Sequence, residues 1–212
     1  MLEVLKTGRQ NDASVLIGMV EGDAMLFSDG FGGKPVNLER YQKSAGEKYG
    51  EYADKFLALY PAHNDAEAAA RNRESSMDNL NVLSYYSGKA RSIKGKADTY
   101  IYFFTHVMPG SRSAIHGAFH TADVSYSFNY FSPLRGDYWT KLDYDIGDRM
   151  SDYWVNFIKN GNPNGQGLPE WPAWQDGDLE VMELGDTFSP VSIPKEKANF
   201  WKVYYDRKFD LK

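Results

Sequence analysis

"SVLIGMV", residues 14–20, is an unbroken apolar run of aliphatic and β-branched side chains, bounded by polar residues before it and a glycine signal after it. With no alternating polar position to turn toward water, it reads as a strand buried on both faces, the kind found in parallel sheets. "DTYIYFFTHV", residues 98–107, is a second strand, rich in aromatic and β-branched residues. Between them, Leu38, Tyr41, Tyr49, Tyr52, Phe56 and Leu59 recur at helical spacing for much of the stretch. That pattern predicts an amphipathic helix, broken near Gly46 and ended before Pro61. A second helix is expected from about Asn64 to a stop at Gly88. Strand, long helical crossover, strand implies two parallel strands of one sheet, because a tight hairpin joins only antiparallel neighbours. The fold class is therefore α/β, with ligand-facing loops at the carboxyl ends of the strands.

Further on, "DIGDRMSDYWVNFIKNG" (145–161) predicts a helix whose apolar face carries Met150, Tyr153, Trp154, Phe157 and Ile158, with Gly161 as its C-terminal cap. "NPNGQGLPEWPAW" (162–174) is turn-rich, "LEVMEL" (179–184) reads as a short strand, and "KEKANFWKVYYDRKF" (195–209) as a solvated terminal helix.

The 212 residues are enough to bury a real core and are read as one domain, 1–212. Apolar residues at 42% and charged residues at 25% exclude a disordered chain. Aromatics at 15% suggest a large interior or an aromatic-lined pocket. A net charge of −5 and the lack of a basic, aromatic-interleaved stripe make nucleic acid and anionic membranes poor partners. The absence of cysteine rules out disulfides, thiolate metal sites and a cysteine nucleophile. No apolar run approaches the roughly 20 residues that span a bilayer. The opening "MLEVLKTGRQNDASVLIG" reads as neither a signal peptide nor a basic leader, and the compartment stays open.

The chemistry gathers in two loops. Glu21 and Asp23 follow the first strand, and "HGAFHTADVSYSF" (116–128), with His116 and His120 four apart, follows the second. At a shared sheet edge, a carboxylate bonded to one ring nitrogen fixes the tautomer and stabilises the imidazolium, leaving the other nitrogen to take a proton from a hydroxyl. Acid before histidine is the chain order of α/β-hydrolase folds, where a serine precedes both. No G-x-S-x-G occurs in the chain, and the one serine upstream of Asp23, Ser14, lacks the flanking glycines. A metal set of His116, His120 and Asp123 lacks further ligands and an H-E-x-x-H glutamate, so no metal is expected. Asp123 is expected to cap a short helix or bond backbone, and His116 to be structural or exposed. "GFGG" (30–33) reads as a turn.

"GAFHTADVSYSF" resembles the histidine motif of the type-B carboxylesterases and cholinesterases. "MSDYWVNFIKNGNPNGQGLPEWPAW" and "VLIGMVEGDAMLF" are similar to two further segments of that family. The resemblance runs through essentially all 212 residues and matches the C-terminal part of a longer protein. It implies the last parallel strands of an α/β-hydrolase with their crossover helices, incomplete without the N-terminal part. Residue by residue, His120 matches the general base and Asp23 the acid, which is usually Glu in the family; Glu21, followed by Gly22, is the alternative acid. Thr121 stands where the family has glycine. The family's nucleophilic serine and oxyanion loop match nothing here, so the chain alone is expected to be inactive.

The implied partners are a small-molecule carboxylic ester and the missing N-terminal part of the same protein. No metal or organic cofactor is implied. A cut sheet exposes an apolar edge, which predicts self-association of the isolated chain. The rival reading is a non-catalytic cholinesterase-like recognition or adhesion domain.

Overall fold

The computed structural model describes residues 3–4, 7–23, 36–111, 113, 117–133, 138–175 and 180–210. His116 and the "GFGG" turn therefore lie outside the described residues. The architecture is mixed α/β around a four-stranded sheet of order β1-β2-β3-β4, consistent with part of an α/β-hydrolase.

Strands β1 (Val15–Val20) and β2 (Thr99–Phe104) run parallel, in the register Val15↔Thr99 to Val20↔Phe104. Gly18 meets the β2 partner so closely that a Cβ there would enter the Tyr102 ring. Strand β3 (Glu180–Leu184) continues the parallel set, and β4 (Phe188–Ser192) returns antiparallel to it. The hairpin to β4 is a finding beyond the expected strands. Pro190 sits in β4, at the sheet's edge, where a missing N–H costs no ladder bond.

Among the described residues the helices of five or more residues are α1 (Leu38–Tyr49), α2 (Ala53–Leu59), α3 (Asp65–Ser92), α4 (Asp123–Ser127), α5 (Lys141–Asn160) and α6 (Lys195–Phe209). The expected break at Gly46 is displaced: Gly46 lies within α1, and the interruption falls at Gly50, whose φ of +55° is left-handed. A short 3₁₀ turn, Gly50–Tyr52, then leads into α2. Helix α3 also passes the expected stop at Gly88. That glycine admits the Trp174 ring against the helix backbone, so it marks close packing rather than a terminus.

The chain gathers into two compact units, Met1–Gly22 with Ser84–Ser192, and Asp23–Leu83 with Ile193–Lys212. In the first, β2 and α5 pack through Tyr100, Phe104, Met150, Tyr153 and Trp171. The Trp171 indole N–H donates to the Ile101 carbonyl at 3.2 Å, and Asn164 brackets the Trp171 backbone through its side-chain amide. Ile158, expected on the apolar face, is 78% exposed: it lies one position past Phe157, beyond the stripe that meets the sheet.

In the second unit, Tyr49, Phe56, Tyr60, Phe200 and Trp201 form an aromatic core, with Tyr49 and Phe56 stacked at 4.3 Å. Helix α6 is therefore docked, not solvated. Its Trp201 is fully buried and donates to the Tyr60 hydroxyl at 2.9 Å. Charges at both ends of its sequence hid that face from the sequence pattern.

Candidate functional site

The parallel register of β1 and β2 brings both strands to their carboxyl ends side by side. The Glu21 N–H, just past β1, donates to the Phe104 carbonyl at 2.9 Å and extends the ladder by one bond. The buried Gly22 then donates its N–H to the Ala118 carbonyl at 2.6 Å. A Cβ on Gly22 would run into the Ala118 carbonyl oxygen and the Phe119 Cα, so the turn after β1 and the segment before His120 touch backbone to backbone. Asp23 follows directly and is half-buried.

His120 is exposed, and the alanines two residues to either side of it are not. Ala118 and Ala122 are both buried and join the hydrophobic cluster under the sheet edge. On either side of His120 the backbone makes two sharp changes, with Gly117 at φ +55° and Thr121 at φ +74°. Glycine adopts that region freely, whereas a β-branched threonine is strained there. The departure from glycine seen at residue 121 thus coincides with backbone that favours glycine. Asp123 opens the short helix α4, and its carboxylate accepts a hydrogen bond from the Tyr102 hydroxyl at 2.9 Å. The N-cap position of that helix is Ala122, so Asp123 is its first helical residue. Among the described residues no group of three or more His, Asp or Glu side chains is arranged to hold a metal.

Glu21, the alternative acid, has its carboxyl pushed above the ordinary carboxylate range by local burial and then by the nearby Glu183. Its electrostatic neighbour is therefore on β3. Along the same edge, Thr105, His106, Val107, Glu183, Asp186 and Thr187 line a cavity of about 270 Å³.

The residues that sequence reasoning passed over lie here. His106 is buried at the end of β2, with Nε2 3.0 Å from Asp143 Oδ1 and Nδ1 2.6 Å from Asp186 Oδ1. Asp143 is fully buried in the first turn of α5. Its Oδ1 also accepts from the Tyr126 hydroxyl at 2.6 Å, and its Oδ2 from the Thr140 N–H and hydroxyl at 2.7 and 2.6 Å. Burial alone would push this carboxyl up, yet the bonds from Thr140, Tyr126 and His106 together hold it below the ordinary range. A signal for it did exist: Thr140-x-x-Asp143 ahead of an apolar helix is the capping-box pattern, and the structure forms both of its bonds. No local pattern announced that His106 would join it.

Among the described residues no helix is long and apolar enough to cross a membrane. The sequence profile of the Carboxylesterase family matches residues 2–201. Carboxylesterase 4A of Bos taurus is 31% identical over 105 residues, which are 49% of this chain and 19% of that protein. Cocaine esterase of Homo sapiens is 31% identical over 119 residues, 50% of this chain and 20% of its own length. Liver carboxylesterase 1F of Rattus norvegicus is 25% identical over 219 residues, 94% of this chain and 38% of its own. The chain thus spans well under half the length of these relatives. Its sheet, its strand-end loops and the family match over residues 2–201 agree, and the chain belongs to the carboxylesterase family.

Proposed function

We propose that these 212 residues form one domain that supplies the histidine and the acid of a Ser-acid-His triad in a carboxylic ester hydrolase. His120 is the general base. It takes the proton from a serine that lies outside this chain, returns it to the departing alcohol, and then activates water for deacylation. Asp23 orients His120, with Glu21 as the alternative acid. The carrying observation is the 2.6 Å bond from Gly22 to Ala118. It supports this reading because it joins the turn just ahead of Asp23 to the segment just ahead of His120. The exposure of His120 supports it too, since a base has to reach a hydroxyl on another group.

The substrate class is a small-molecule carboxylic ester, and the required partner is the N-terminal remainder of the protein. Without serine and oxyanion hole no acyl-enzyme forms, so the isolated chain is inert. Hydrolysis of a p-nitrophenyl ester tests both halves. The chain alone should show no turnover that a His120→Ala change removes, whereas the same change in the complete protein should abolish activity. Turnover by the chain that depends on His120, or full activity of the complete His120→Ala protein, overturns the assignment.

Self-association of the isolated chain is part of the same proposal. β1 ends the sheet among the described residues and carries six uncharged residues, VLIGMV, while the opposite edge holds Pro190. A monodisperse monomer in size-exclusion chromatography with light scattering would count against it.

A further inference from the structure

We propose that Asp143 is a positioning residue for the loop that carries His120, tying both ends of that loop to the first turn of α5 through one carboxylate oxygen. The inference rests on His120 as the base, and extends it to a residue outside the motifs.

The loop leaves β2 after Phe104 and ends in α4, so His106 stands at its start and Tyr126 just past its end. Both converge on Asp143 Oδ1, His106 Nε2 at 3.0 Å and the Tyr126 hydroxyl at 2.6 Å. The two rings meet edge to face, with centroids 5.2 Å apart and planes at 81°. His106 cannot swing away freely, because its Nδ1 is held 2.6 Å from Asp186 in the β3–β4 turn. Asp143 in turn cannot rotate, because Oδ2 is fixed by the Thr140 N–H and hydroxyl that cap α5. That helix is anchored by Met150 and Tyr153, both fully buried. The exposed His120 is thus placed through its flanks, by the buried Ala118 and Ala122 and by two fastened loop ends.

The chemistry requires a carboxylate. The arrangement uses both oxygens as acceptors, each from two donors, and while the Thr140 and Tyr126 hydroxyls can also accept, the Thr140 backbone N–H can only donate. An amide presents one oxygen and one NH₂. In Asp143→Asn the NH₂ faces one of the two sides, where it displaces the N–H donor, that of Thr140 or of His106, and obliges the neighbouring hydroxyl to accept instead of donate. The shape is kept and the tether is weakened at one end.

The test is the long-range ¹H–¹⁵N imidazole spectrum of the full chain, which reports the His120 ring without needing ester turnover. Wild type is compared with Asp143→Asn, with Tyr126→Phe, and with Met182→Ala, a buried β3 change outside the network. The expected result is a shifted or split His120 signal in Asp143→Asn, a smaller change of the same kind in Tyr126→Phe, and an unmoved signal in Met182→Ala despite a lower melting temperature. An unmoved His120 signal in folded Asp143→Asn overturns the proposal. If that variant does not fold, Tyr126→Phe, which deletes a single oxygen, decides the question in the same way. Equal movement in Met182→Ala also overturns it, since general loosening would then suffice. The spectra and the esterase assay fail separately: a complete His120→Ala protein with full activity removes the base assignment and leaves the tether as measured.

Discussion

Two buried aspartates, one in each compact unit, each accept a tyrosine hydroxyl, and burial has opposite outcomes for them. Asp143 receives Tyr126, His106 and two bonds from Thr140, and its carboxyl is held below the ordinary range. Asp78 receives Tyr60 at 2.8 Å and has Lys197 at 3.6 Å, and its carboxyl is pushed up by burial, with Glu74 adding repulsion. Lys197 does not rescue Asp78, because it bonds more closely to Glu74, which also takes Arg71 and is itself held low. A buried carboxylate is stabilised by the number of donors aimed at it, and a shared cation goes to the nearer acid.

The contrast can be broken most directly at Asp143. Asp143→Ala leaves a histidine, a tyrosine hydroxyl and a helix cap without their acceptor, and should cost about 3–5 kcal/mol in urea denaturation followed by tryptophan fluorescence. A loss under about 1 kcal/mol would show that the four donors find other partners.

The pH dependence sharpens it next. A carboxyl lowered in the fold contributes stability that is fully present above its unfolded pKa and is lost as pH falls through the folded one. Asp143→Asn should therefore flatten the acid limb of the stability curve. A raised carboxyl has the opposite sign: its ionised form is penalised in the fold, and the penalty is relieved as pH falls through its folded pKa. Removing it in Asp78→Asn should steepen the acid limb relative to wild type. Identical limbs in the two variants would erase the distinction.

A third test concerns strain beside His120. Thr121 holds φ +74°, so Thr121→Gly should stabilise the chain by about 1 kcal/mol in the same denaturation experiment. Destabilisation would mean that the threonine side chain contributes more than its backbone costs. The smallest effect is expected at neutral pH from Asp78→Asn, within about 0.5 kcal/mol of wild type, because the exchange removes a penalised charge while Lys197 keeps Glu74.

Much of the architecture could be read from neighbouring residues. Val15–Val20 and Thr99–Phe104 are strands because runs of β-branched and aromatic side chains favour extended backbone, and the helical crossover between them made the pair parallel. Gly161 caps α5 at φ +71° as its position after an amphipathic run implied. Glycines misled where their reason lay elsewhere in the chain. Gly88 looked like a stop and is instead the clearance for Trp174, while Gly46 looked like a break that Gly50 makes. At the candidate site, His120, Asp23 and Glu21 were visible in the motifs, and His106, Asp143 and Tyr126 were not.

By itself the sequence determined the α/β class, the three strands β1, β2 and β3 and most of the apolar face of α5, because periodicity and propensity are properties of near neighbours. Only the tertiary structure decided that Gly22 presses on Ala118, and that His106 meets Asp143 and Asp186, 37 and 80 residues away. Those pairings depend on sheet register and on which polar groups are left facing one another once the apolar faces close, and neither is written in any local stretch of the chain.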